Sequence, residues 1–283
     1  MGSWLELIAI VGHPFAPHQG SWLIIEPAVL TGLTLIGALY LYAVGPWRRR
    51  AGWAPDNARV PLGRFLLGLL VLFVALQGPL HELSDYYLFS AHMLQHLLVT
   101  MVAPPLLLTG LPSWLVDRLL LWRGVLPLAR ALTTPLVAFL VFNAVFALWH
   151  APQFYQAALG RPLVHGLEHS LLLATALLTW WPIFSPSARL PRAALPVQIV
   201  YLFAQTIVPT ILGALITFAP APLYPFYAAA PRMWGLAPLT DQQIAGLIMW
   251  LGGALIMLAV LTARFFRWLG LEADEPAYHM LKR

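Results

Sequence analysis

Apolar positions in this chain follow neither the two-residue alternation of a strand nor the narrow stripe of a half-buried helix. They run on for ~20 residues at a time, the length that crosses a ~30 Å hydrocarbon core at 1.5 Å per residue. Residues 22–44, 62–80, 87–108, 135–150, 163–183, 195–219 and 242–265 are read as seven such spans. The predicted fold is an all-α membrane protein, one seven-transmembrane helix bundle forming a single domain over residues 1–283. Between Gly110 and Thr134 the pattern changes, because Asp117, Arg118, Arg123 and Arg130 stand among leucines. That mixture is too charged to span and predicts an amphipathic connection over 110–134 lying at the membrane surface. Pro104, Pro105 and Pro209 are expected to kink their helices, which a bundle tolerates where neighbours satisfy the freed carbonyls. Residues 1–20 carry no Lys or Arg and so lack the basic start of a cleavable signal peptide; Trp4 to Val11 is expected at the interface.

Composition agrees with the pattern and narrows the function. The chain is 60% hydrophobic and 10% charged, with a mean hydropathy of +0.76, far from the ~25% charged content of soluble domains. A net charge of +5 and a pI near 9.8 raise the question of nucleic acid, but the basic residues sit in the connections and form no patch. Fourteen of the sixteen fall in the first, third and fifth connections and the C-terminal tail, among them Arg48 to Arg50. The positive-inside bias therefore places the N-terminus outside and the C-terminus in the cytoplasm. The absence of cysteine removes disulfides and thiolate sites, so a bound metal would rely on imidazole, carboxylate or thioether.

The polar residues inside the spans carry the chemistry. His92 and His96 in SAHMLQHLLVTMVAPP lie four apart, which stacks them on one helical face, and His165 and His169 repeat that spacing in HGLEHSLLLA. His150 ends the fourth span in LWHAPQF, and His81 closes the second. With the predicted topology eight of the nine histidines, including His13 and His18, fall on the outer side, and only His279 falls in the cytoplasmic tail. A lone histidine on an apolar face is most often core filler; two matched pairs and a one-sided layer call for a metal. Glu168, inside the fifth span, is a ligand candidate or an acceptor that fixes a histidine tautomer, against the bland reading of a carboxylate reaching for water. Met93 and, further down the same helix, Met101 are thioether candidates for Cu(I), more commonly packing residues. Glu82 and Asp85 are read as a solvated acidic turn, and Trp149, Trp180 and Trp181 as interfacial belts.

Three stretches, SAHMLQHLLVTMVAPPLLLTGLP (90–112), LWHAPQFY (148–155) and HGLEHSLLLATALLTWWPI (165–183), taken in that order, resemble the CtaG-type cytochrome c oxidase assembly factors of bacterial plasma membranes. Looser similarity runs from about Trp22 to Arg267. The resemblance implies a seven-helix, non-enzymatic membrane protein that supplies copper to a haem-copper oxidase subunit or receives it from another copper carrier. His92, His96, His150, His165 and His169 fall on the motif histidines and Glu168 on the acidic position; His81 lies outside those motifs. Zinc or haem is the alternative cofactor. A haem-binding or haem-modifying protein, an intramembrane His-metal hydrolase or hydroxylase with Glu168 as base, and a metal-free structural partner are the competing functions.

Overall fold

A computed structural model describes residues 25–54 and 58–280, with side chains described as far as residue 272. Trp4 to Val11, His13, His18, the start of the first expected span and the His279 side chain lie outside what is described. Among the described residues every regular element is helical. In chain order these are α1 (Pro27–Ala51), α2 (Leu62–Leu76), α3 (Gly78–Tyr86), α4 (Phe89–Gly110), α5 (Ser113–Leu119), α6 (Val125–Leu132) and α7 (Pro135–His150). They continue as α8 (Pro152–Leu159), α9 (Pro162–Phe184), α10 (Leu195–Gln205), α11 (Ile207–Thr217), α12 (Pro225–Ala229) and α13 (Pro238–Glu272, continuing to Met280).

Four helical stretches are long and apolar enough to cross a membrane: α1, α4, α10 with α11, and α13. The number rises to six if the bent pairs α2–α3 and α6–α7 each make one crossing. The helix α9 has the length, 23 residues, but His165, Glu168 and His169 lower its hydropathy. A helix that carries a polar site erases part of its own membrane signal.

Two local features redirect the chain from its expected course. Gln77 is extended, and Gly78 sits at φ 66°, a left-handed conformation that a Cβ would disfavour. The helix therefore restarts as α3, bent 41° from α2. This corrects the reading of Glu82 and Asp85 as a solvated turn: they lie on a helix, Glu82 is 3% exposed, and Asp85 faces histidines. The amphipathic connection is likewise divided, into α5 and α6, by Gly124 at φ 81°.

At the centre runs α4, packed against α2, α9 and α13. Its far end approaches α2 so closely that a Cβ on Gly110 would stand 2.5 Å from the Phe65 nitrogen, so only glycine fits. Stretches of α4 (Leu98–Val102) and α13 (Ile248–Gly252) widen into π-helix. Trp180, expected in an interfacial belt, is instead 1% exposed in the core, where its indole donates to the Thr100 carbonyl at 2.8 Å. The widened turn leaves that carbonyl to an outside donor. Trp149 is buried as well.

Candidate metal centre

Four helices bring their polar side chains to one end of the bundle. The first turns of α4 contribute His92 and His96, and those of α9 contribute His165, Glu168 and His169. His150 comes from the last turn of α7, and His81 with Asp85 from α3. The start of α4 is held by α13: Asp241 accepts the Phe89 amide at 2.7 Å and the Ser90 amide at 3.1 Å, with the Ser90 hydroxyl at 2.5 Å. A carboxylate on the first amides of a helix satisfies donors that have no partner within the helix. That anchor fixes the two histidines that follow.

The imidazoles form a continuous cluster. His92 Nε2 lies 2.8 Å from His96 Nε2, and His165 Nε2 lies 2.9 Å from His169 Nε2, so each i,i+4 pair meets as its spacing predicted. Across the helices, His92 stands 5.8 Å from His165 and 5.9 Å from His169 between ring centroids. His96 stands 5.5 Å from His169 and 5.8 Å from His150. His81 joins at the edge, 6.3 Å from His165. The structure thus gathers all five motif histidines and His81 around one chamber. His13, His18 and the His279 side chain lie outside what is described.

Glu168 is fully buried, and neither carboxylate oxygen has a hydrogen-bond partner among the described residues; His96 Nε2 is 3.6 Å away. It does not reach for water. Such a side chain is held either as a neutral carboxyl or as a carboxylate with a positive partner close by. His92, His96 and Glu168 offer three ligand atoms within 4.8 Å of one another, and Asp85, His92 and His165 offer a second such set. Ligand atoms about a four-coordinate ion held at 2.0–2.1 Å stand about 3.3 Å apart. The observed 2.8 and 3.6 Å bracket that separation.

Second partners fix which nitrogen each ring presents. His150 Nδ1 is 2.7 Å from the Phe146 carbonyl, which only accepts, so Nδ1 carries the hydrogen and Nε2 keeps its lone pair. That Nε2 is buried and unpartnered among the described residues. His165 Nδ1 lies 3.4 Å from Asp85 Oδ2, a carboxylate–histidine pairing that leaves Nε2 for a ligand role. Gln95 donates to the Ala75 carbonyl at 2.9 Å and lies 3.1 Å from His81 Nδ1, which is also 3.4 Å from Asp85 Oδ1. Tyrosines roof the cluster: Tyr155 lies 5.1 Å from His92, Tyr224 donates to the His150 carbonyl, and Tyr227 donates to the Ser84 carbonyl.

Met93 is buried on α4 and lines a crevice that His96 and His150 also border. Sequence reasoning missed Asp85, Asp241 and the tyrosine roof as site residues. Asp85 sits four residues after His81, the same spacing as the histidine pairs, so its signal was present but was assigned to a turn. Tyr155 comes from α8, Tyr224 from the connection after α11 and Tyr227 from α12, with no local pattern tying them to the histidines.

With this geometry in hand, comparison with known families finds one match: the model of the cytochrome c oxidase caa3 assembly factor family (Caa3_CtaG) covers residues 38–270, which hold every residue of the chamber. No curated protein and no solved structure matches the chain.

Proposed function

Because the chain belongs to the cytochrome c oxidase caa3 assembly factor family, we propose that it serves oxidase assembly by binding copper in the histidine chamber and passing it to an oxidase subunit or exchanging it with another copper carrier. The observation that carries this reading is the buried set His92, His96 and Glu168, joined by His150, His165 and His169, in which imidazole and carboxylate atoms converge at coordination spacing. Imidazole suits copper, and the lack of cysteine rules thiolate out as its ligand. The protein acts as a carrier and not as an enzyme; Glu168 serves as ligand or as charge partner.

In this reading the chain crosses a bacterial plasma membrane seven times: α1, α2–α3, α4, α7, α9, α10–α11 and α13. The N-terminus lies outside and the C-terminus in the cytoplasm, on the argument from basic residues. The chamber then opens to the outer side, where an oxidase copper site would be filled. Support comes from connectivity: the starts of α4 and α9 and the end of α7 share one end of the bundle, as alternate crossings require.

The test is a copper titration of the purified protein with elemental analysis. Stoichiometric binding is expected in the native chain and lost when His92, His96 and His169 are replaced by alanine. Binding that survives the triple replacement would rule the chamber out as the copper site.

A further inference from the structure

Beside the chamber lies a crevice of about 440 Å³, counting the space at its mouth, that shares His96 and His150 with it. Four of the seven methionines of the chain line this one crevice: Met93 and Met101 from α4, Met249 and Met257 from α13. All four are buried, between 1% and 6% exposed. On each helix the two methionines are eight residues apart, and on each a π-helical stretch lies between or overlaps them. The third wall is the break between α10 and α11, with Thr206 and Pro209 at the crevice. Backbone irregularity at membrane depth is tolerated where it lines a cavity, and interrupted helices there mark binding sites. Three independent helices depart from regular geometry around the same space.

The donors facing that space differ from those of the chamber. Thioethers are soft, polarizable ligands that suit Cu(I). His150 adds an unpartnered, buried Nε2 whose lone pair is fixed by the Nδ1 contact to the Phe146 carbonyl. We propose that the crevice is a second metal site, specific for a soft monovalent cation, in which His150 and thioethers drawn from Met93, Met101, Met249 and Met257 hold copper as Cu(I); the two methionines of one helix, about 12 Å apart along it, stand at different levels and do not share one ion. The inference rests on the copper reading of the chamber and sharpens it, because His96 and His150 border both spaces. Packing alone asks only that the methionines fill volume, which leucine does nearly as well.

The experiment uses the full chain in detergent, with Cu(I) supplied from a bicinchoninate buffer and Cu(II) titrated separately. The combined variant Met93→Leu, Met249→Leu and Met257→Leu is expected to lose one Cu(I) equivalent while keeping the Cu(II) spectrum of the imidazole chamber. Selenomethionine-labelled native protein loaded with Cu(I) provides a readout that needs no substitution: the selenium X-ray absorption edge is expected to report copper in its first shell. An unchanged Cu(I) stoichiometry in the leucine variant, or selenium with no copper neighbour, overturns the crevice site. In either case Cu(II) binding that remains sensitive to His92 and His96 leaves the chamber standing. Failure of the native chain to bind copper in either state overturns both.

Discussion

Two polar clusters are buried in this bundle, and they treat their hydrogen bonds in opposite ways. In the first, Asn143 donates to the Phe139 carbonyl at 2.9 Å and to Gln205 Oε1 at 2.8 Å. Gln205 donates in turn to Thr179 Oγ1 at 3.0 Å and to the Tyr201 hydroxyl at 2.8 Å, and Tyr201 donates to the Thr179 carbonyl. One acceptor, Asn143 Oδ1, is left over. In the second, the chamber, Nδ1 of His92, His96 and His169, Nε2 of His150 and both oxygens of Glu168 have no hydrogen-bond partner among the described residues. Buried polar groups in native proteins are nearly always satisfied, so a network that closes on itself needs no further explanation. A cluster that leaves lone pairs and a carboxylate open does, and the copper proposed above would supply it. The contrast separates a polar knot that orders helices from the open donors on which the copper proposal rests.

That contrast breaks first at His96, which touches the carboxylate, both histidine pairs and the crevice. His96→Ala should weaken copper binding by more than ~100-fold, beyond the 10–100-fold typical of outer partners, with little loss of helix content. An unchanged affinity by competitive titration would place the ion elsewhere. Asn143→Leu probes the other cluster: it strips Gln205 Oε1 and the Phe139 carbonyl of a donor and should cost about 1–3 kcal/mol of stability. The same variant should bind copper with native stoichiometry, and a parallel loss of metal would merge the two clusters into one. Asp85→Asn weakens the charge that orients His165 and should reduce copper affinity ~10-fold without changing the number of ions bound.

The smallest effect concerns Asp117, outside the spans, on the connection between α4 and α6. Its partial burial would raise the carboxyl, but hydrogen bonds from the Ser187 hydroxyl, the Arg189 amide, the Ser113 hydroxyl and the Ala188 amide outweigh that and hold it below the ordinary range. A carboxyl depressed in the folded state contributes stability above its unfolded value of ~3.9 and loses it as pH falls through the lower folded value. Limited proteolysis of the 185–192 loop should therefore be flat at neutral pH and rise in acid. Asp117→Asn should be more susceptible at neutral pH and show a weaker acid response; an identical pH profile would remove Asp117 as the cause.

How much of this was legible beforehand divides along the same physical line. The histidine pairs were, because four-residue spacing on a helix forces proximity whatever surrounds it. The helical spans were legible where polar residues are few, and α7 begins at Pro135 and ends at His150 as read. The course of α3 was not. A single left-handed glycine after an extended glutamine turns an apparent loop into a helix, and nothing in hydropathy records that. Trp180 was misplaced for a related reason: tryptophan frequency favours interfaces, but a π-widened turn in a neighbouring helix, invisible in sequence, provides a carbonyl for its indole. The tyrosine roof depends on contacts between segments far apart in the chain, such as Tyr227 with Ser84.

The clasp between Asp241 and the first residues of α4 joins positions separated by 152 and 151 residues. A ribosome delivers α4 to the bilayer long before it delivers α13. Until that last helix arrives, the Phe89 and Ser90 amides lack the carboxylate that holds them, and the crevice lacks two of its four sulfurs. The amide clasp and the sulfur-lined crevice are thereby finished only once α13 has packed against α4.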